Sequence, residues 1–91
     1  MSTFIVVCSF KTTATEEAIG ALVAAERSAA ATLQKSGRIG FIHIAPPPRR
    51  KVFIEVTADD ATSAEETVNE LPMAVLWDLD TYPVAAPPAA E

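Results

Sequence analysis

Residues 3–10 read as a β-strand in which both faces are mostly apolar. The β-branched and aromatic content favours extended backbone, and Phe4, Val6, Cys8 and Phe10 alternate with Ile5, Val7 and Ser9. A strand with one face in water carries its apolar residues on the other face alone, so this one needs cover on two sides. The 91 residues make one small domain with a modest core, and 49% of them are hydrophobic. Helices can cover one face of the strand, and a second subunit is the natural cover for the other.

The rest of the chain supplies those helices. Residues 11–15 form a polar connection, and Thr13 with Glu16 reads as a capping box that opens a first helix running to about Ser36, where Gly37 stops it. Residues 38–45 read as a second strand, with Ile39, Phe41 and His43 on one face and Gly40, Ile42 and Ile44 on the other. Pro46, Pro47 and Pro48 end it, and Arg49, Arg50 and Lys51 precede a third strand at 52–56, giving a hairpin with a stiff basic loop. After a turn at 57–60, Thr62 with Glu65 or Ser63 with Glu66 offers a capping box for a short helix with inner face Ala61, Ala64, Val68 and Leu71, ended by Pro72. Residues 74–82 read as a fourth strand. A single domain therefore spans 1–82, and the Pro- and Ala-rich stretch 83–91 is expected to be an extended or disordered arm.

The order βαββαβ is the split βαβ arrangement, an antiparallel four-stranded sheet with both helices on one face. Two such sheets packed face to face make a dimeric α+β barrel, which answers the demand of the first strand.

Inside the first helix, Ile19, Leu22, Val23, Ala29, Ala30 and Leu33 fall on one face, and Glu26 falls on that same face. Burial of a carboxylate disfavours its charged form and raises its pKa toward neutrality, which lets it give and take a proton at physiological pH. The alternative is a small rotation of the helix that brings Glu26 to the rim, or a pairing with Arg38 or Lys51; a stripe made partly of Ala defines helix rotation poorly.

A formal net charge of -5 argues against nucleic acid as a partner, because phosphate binding needs a basic surface. No apolar run has the length of a membrane span, and the start MSTFIVVCSF lacks the basic n-region of a signal peptide, so a cytoplasmic chain without a membrane partner is expected. The one cysteine, Cys8, cannot form an internal disulfide and reads as a small core residue. The single His43 has no Cys or carboxylate companions at ligand spacing, so neither metal nor cofactor is expected.

With Glu26 and the strand order established, the chain resembles the muconolactone isomerase family. The segment 26–37, ERSAAATLQKSG, resembles that family's acidic-then-basic start followed by a Leu-Gln pair and a Gly. Val52-Phe53-Ile54-Glu55-Val56 resembles its third strand, and Glu70-Leu71-Pro72-Met73 is similar to the Leu-Pro-Leu end of its second helix. The likeness extends from Glu26 to Asp80. It implies the ferredoxin-like dimeric α+β barrel, often assembled into rings, and a proton-transfer enzyme acting on an unsaturated lactone in aromatic-ring degradation. Such an isomerase takes a proton from carbon to give a dienolate and returns it two carbons away, which needs one base of near-neutral pKa and a donor for the oxyanion. Glu26 aligns with the family's helix glutamate. Where the family carries an aromatic residue followed by arginine, this chain has His43 and Ile44, and where the family has a His-Tyr-containing loop it has Pro46, Pro47, Pro48, Arg49 and Arg50. The resemblance then leaves Arg49, Arg50 or Lys51 to hold a substrate carboxylate, His43 as oxyanion donor or second acid–base group, and Trp77 and Tyr82 as pocket residues; the alternatives are a solvated loop tip, a structural strand histidine and a core or dimer-interface Trp77.

Three classes of function fit these features. One is the lactone isomerase with Glu26 as proton shuttle. Another is a cofactor-free oxygenase, cyclase or dehydrohalogenase on the same barrel. The third is a non-catalytic module that binds a small molecule or assembles with copies of itself. A cavity beside Glu26 with a second polar group in reach separates the enzymes from the third class.

Overall fold

The doubly apolar strand lies in the interior of a sheet. The structure, a computed structural model describing residues 1–85, runs β1 (Ser2–Phe10), α1 (Glu16–Lys35), β2 (Ile39–Ala45), β3 (Lys51–Ala58), α2 (Ala61–Val68) and β4 (Trp77–Val84), with a 3-10 turn at Pro72–Leu76. The four strands form one antiparallel sheet in the order β2-β3-β1-β4, the ferredoxin-like α+β fold. β1 therefore has neighbours on both edges. Phe4, Val6 and Cys8 face the helices and are buried with Val52, Ile54 and Val56 of β3, while Ala30 and Leu33 of α1 and Ala64 and Val68 of α2 close the same core from above.

Both helix starts differ from the capping boxes expected. Thr15 caps α1, its hydroxyl accepting the Ala18 N–H at 3.0 Å, so Thr13 lies outside the helix and Glu16 is its first residue. Asp60 caps α2 by accepting the Ser63 N–H at 2.7 Å, in place of Thr62 or Ser63, and Ala61 is exposed at the first position of the helix. At the other end of α1, Gly37 adopts φ +80° and closes a Schellman motif: Gly37 N–H donates to Gln34 C=O and Arg38 N–H to Leu33 C=O, both at 3.1 Å.

A bulge reorganises β2. Ile39 lies opposite Val56 but Ile42 lies opposite Ile54, so three steps on β2 span two on β3 and one residue is extra. Ile39 is thereby turned to the helix face with Ile42 and Ile44, and not to the face of Phe41 and His43 as plain alternation implies. Gln34 Nε2 donates to the Gly40 carbonyl at 2.9 Å and ties the bulge to α1.

The chain before β4 is also shaped by packing. α2 ends at Val68, Leu71 is buried beyond it, and Pro72 opens the 3-10 turn that contains Ala74, so β4 begins at Trp77 and not at Ala74. β4 continues through Pro83 to Val84, past the expected end at Tyr82; a proline is tolerated there because β4 is an edge strand. The rest of the expected arm, 86–91, lies outside the described residues.

The face away from the helices carries Ile5 and Val7 of β1, Phe41 of β2, Phe53 of β3 and Tyr82 and Val84 of β4, and the strand registers place them side by side. Phe41, Tyr82 and Val84 are 39%, 51% and 40% exposed. This face carries the apolar side of β1 that α1 and α2 leave uncovered.

Candidate active site

A pocket of about 470 Å³ opens between the stretch of α1 from Glu16 to Ala30 and the helix side of the sheet. The volume falls in the ~300–1,000 Å³ range of small-molecule sites. Glu16, Ile19, Val23, Glu26, Arg27 and Ala30 supply the helix wall; Phe10, Ile42, Ile44 and Val52 supply the floor; Met73 and Trp77 close one side, and Pro46, Pro47 and Arg50 the other. The lining is mostly apolar, which strengthens any electrostatic interaction made inside it.

Glu26 is half-buried on this wall, among the apolar residues of its stripe. Neither Arg38 nor Lys51 pairs with it. Arg38 Nη1 donates to Glu70 Oε1 at 3.0 Å and its Nη2 to Thr67 Oγ1 at 3.3 Å, and Lys51 Nζ donates to Ser9 Oγ at 2.7 Å. Glu26 Oε1 instead accepts the backbone N–H of Met73 at 2.9 Å. Burial raises the Glu26 pKa above the ordinary 4.5, and the Met73 hydrogen bond opposes that rise without cancelling it. The same charge acts on the core beneath: the Cys8 thiol is pushed up to about 12, by burial first and by Glu26 second.

Arg50 stands at the mouth. It adopts φ +46°, the left-handed region that costs a non-glycine residue of order 1–2 kcal/mol, and its guanidinium Nη2 donates to Glu16 Oε1 at the start of α1. Arg27, one residue after Glu26, is a second guanidinium on the wall and makes no ion pair among the described residues.

Trp77 is 4% exposed and packs edge-on to Phe10, ring centroids 6.0 Å apart at 73°. Its indole Nε1–H is shielded from water and has no hydrogen-bond partner among the described residues. Trp77 is thus a wall of the pocket, not a ready donor to a ligand.

Of the residues singled out by sequence, the structure brings Glu26, Arg50 and Trp77 to one pocket and sets the others apart. His43 is exposed on the opposite face of the sheet, stacked at 4.6 Å from Phe41, so within one chain it cannot serve as oxyanion donor to a ligand beside Glu26. Lys51 and Tyr82 share that far face, where Tyr82 Oη donates to Asp80 Oδ2 at 2.6 Å, and Arg49 is exposed on the loop outside the lining. Sequence reasoning missed Glu16, Arg27, Phe10 and the Met73 N–H. Glu16 lies on the stripe of Glu26 once it is followed one turn toward the N-terminus, and Arg27 borders it four residues after Val23, so both were within reach of the helical period. Among the described residues no cluster of three or more His, Cys, Asp or Glu is placed to hold a metal ion, and no helix is long and apolar enough to cross a membrane.

No protein-family model matches the chain, and no curated protein matches it.

Proposed function

We propose that this chain is a muconolactone isomerase-like enzyme, which shifts a double bond in a small unsaturated lactone by moving one proton between two carbons through Glu26. The observation that carries the reading is a half-buried carboxyl group of raised proton affinity on the wall of an apolar, ligand-sized pocket. A carboxylate in water is too weak a base to hold a carbon-derived proton for long; one whose pKa is raised by desolvation is a better base and still gives the proton back.

The steps balance without a cofactor. Glu26 takes a proton from a carbon next to the unsaturated system, the electron pair delocalises into the lactone as a dienolate, and the same carboxyl returns the proton two carbons away. Met73 N–H holds Oε1, which leaves Oε2 as the oxygen that faces the substrate. Arg50 and Arg27 are the cations on the wall, suited to a substrate carboxylate and to the negative charge that develops on the lactone oxygen. Trp77, Ile42 and Val23 exclude water from the dienolate, which limits side reactions.

Self-association through the open sheet face belongs to this reading, since Ile5, Val7 and Phe53 then find the cover that one chain lacks. The placement in aromatic-compound breakdown rests on the sequence resemblance. The test is an isomerisation assay of the purified protein with muconolactone and related butenolides, followed by the change in ultraviolet absorbance and by proton NMR of the product. Turnover of at least one butenolide is expected; no turnover of any of them defeats the proposal.

A further inference from the structure

The ion pair at the pocket mouth is lopsided. The side chain of Arg50 is 40% exposed whereas that of Glu16 is 78% exposed, although both line the pocket. Arg50 belongs to the wall, and Glu16 reaches it from the water side. An ion pair this exposed is weak, because both charges remain solvated and two side chains must be held in one geometry. Glu16 also has other support: it is the first residue of α1, where the helix dipole and unpaired peptide N–H groups favour a negative charge whether or not Arg50 is present. Letting go of Arg50 therefore costs Glu16 little.

Arg50 is held more firmly. Its backbone is fixed at φ +46°, its N–H points to the Pro46 carbonyl at 3.4 Å, and three consecutive prolines stiffen the loop that precedes it. The backbone therefore sets where the Arg50 side chain starts, at the mouth of the pocket, and its planar guanidinium fork matches a carboxylate or sulfonate.

We propose that Glu16 is a displaceable internal anion that covers Arg50 and tunes the pocket toward ligands with an apolar body and a single anionic group. Such a ligand seats its body against Ile19, Val23 and Ile42 and exchanges its own oxygens for those of Glu16 on the guanidinium. A neutral ligand of the same shape leaves the Glu16–Arg50 pair closed and gains nothing from it. The inference rests on the pocket being a ligand site, as in the proposed function, and not on the reaction assigned to it.

The experiment is a fluorescence titration of the full chain with two probes that share one ring system, the anion 1-anilinonaphthalene-8-sulfonate and the neutral N-phenyl-1-naphthylamine. Removing the competitor by Glu16→Gln should tighten binding of the anionic probe, by up to about fivefold, which is the full worth of an exposed pair. Binding of the neutral probe should stay unchanged. Arg50→Gln should weaken the anionic probe alone, and in the Arg50→Gln background the Glu16→Gln change should lose its effect. That last arm separates the exchange from a general gain in anion attraction, which persists without Arg50. Because Glu16 is exposed, Glu16→Gln does not threaten folding and its result decides the matter. The proposal is overturned if Glu16→Gln leaves the anionic probe unbound or no tighter than before, shifts both probes alike, or acts equally with Arg50 removed. No arm requires turnover, so failure of the isomerase assay and failure of this inference are separate results.

Discussion

The carboxylate of Glu26 and the backbone N–H of Met73, far apart in sequence, are joined at 2.9 Å, so the middle of α1 is tied to the 3-10 turn that leads into β4. The bond fixes the side chain that would carry the chemistry. It also satisfies the part-buried Met73 N–H, so Glu26→Ala should lower stability in urea unfolding by about 1–3 kcal/mol by leaving that donor unpaired.

Glu26→Gln keeps an acceptor for Met73 and removes the charge, and its effect on stability should depend on pH. Because burial raises the folded-state pKa above 4.5, the folded chain holds this proton more tightly than the unfolded chain. The contribution is fully present below the unfolded value and is lost as pH rises through the folded one. Urea unfolding should therefore find Glu26→Gln more stable than the native chain at about pH 8, with the difference shrinking toward about pH 4. A difference that grows as the pH falls would show that Glu26 is stabilised as an anion.

Cys8 is fully buried and its thiol is pushed up to about 12, so it is neither exposed nor ionised near neutrality. In the native protein at about pH 8 it should react with a disulfide reagent such as DTNB only as fast as the fold opens, and at once in denaturant. Rapid stoichiometric labelling of the folded chain would place the thiol outside the core.

The helix caps make a paired test. Thr15→Ala removes the hydroxyl that accepts Ala18 N–H and should destabilise the protein by about 0.5–2 kcal/mol, while Thr13→Ala, before the helix, should stay within about 0.5 kcal/mol. Equal effects from the two, measured by thermal or urea unfolding, would contradict the cap assignment.

These elements show what a single sequence makes legible. The fold follows from β1, because a strand apolar on both faces and flanked by helical stripes has few places to go, and the structure puts it inside the sheet. Glu26 is readable because one helical period runs unbroken from Ile19 to Leu33. The bulge in β2 is not, since one inserted residue near Gly40 changes the face of Ile39 without any change in local composition. Thr13 and Thr15 offer the same hydroxyl chemistry two residues apart, and only the tertiary path of the chain decides between them. Arg49, Arg50 and Lys51 are equivalent by composition; a left-handed backbone at Arg50 and the alternation of β3 send one to the pocket and Lys51 to Ser9 on the far face. His43 and Ile44 must lie on opposite faces of any strand, yet which face holds the pocket depends on where the helices pack.

The open sheet face predicts association. Ile5, Val7 and Phe53 at its centre should be covered by a second copy, so the protein should sediment as a dimer or larger ring at micromolar concentration. Val7→Lys, which puts a charge at the middle of that face, should release folded monomers. A native chain that sediments as a monomer would leave this surface without the assigned role.

The central claim is that Glu26 carries a proton from one carbon of the substrate to another. Its most direct test is proton NMR in D₂O, following deuterium entry into muconolactone or the most reactive butenolide with native protein and with Glu26→Gln. The native chain should exchange and isomerise the substrate, and Glu26→Gln, folded and at least as stable at neutral pH, should lose about 10²–10⁴-fold in both rates. If Glu26→Gln exchanges and isomerises the substrate as fast as the native chain, Glu26 is not the proton carrier and the mechanism proposed for this pocket is wrong.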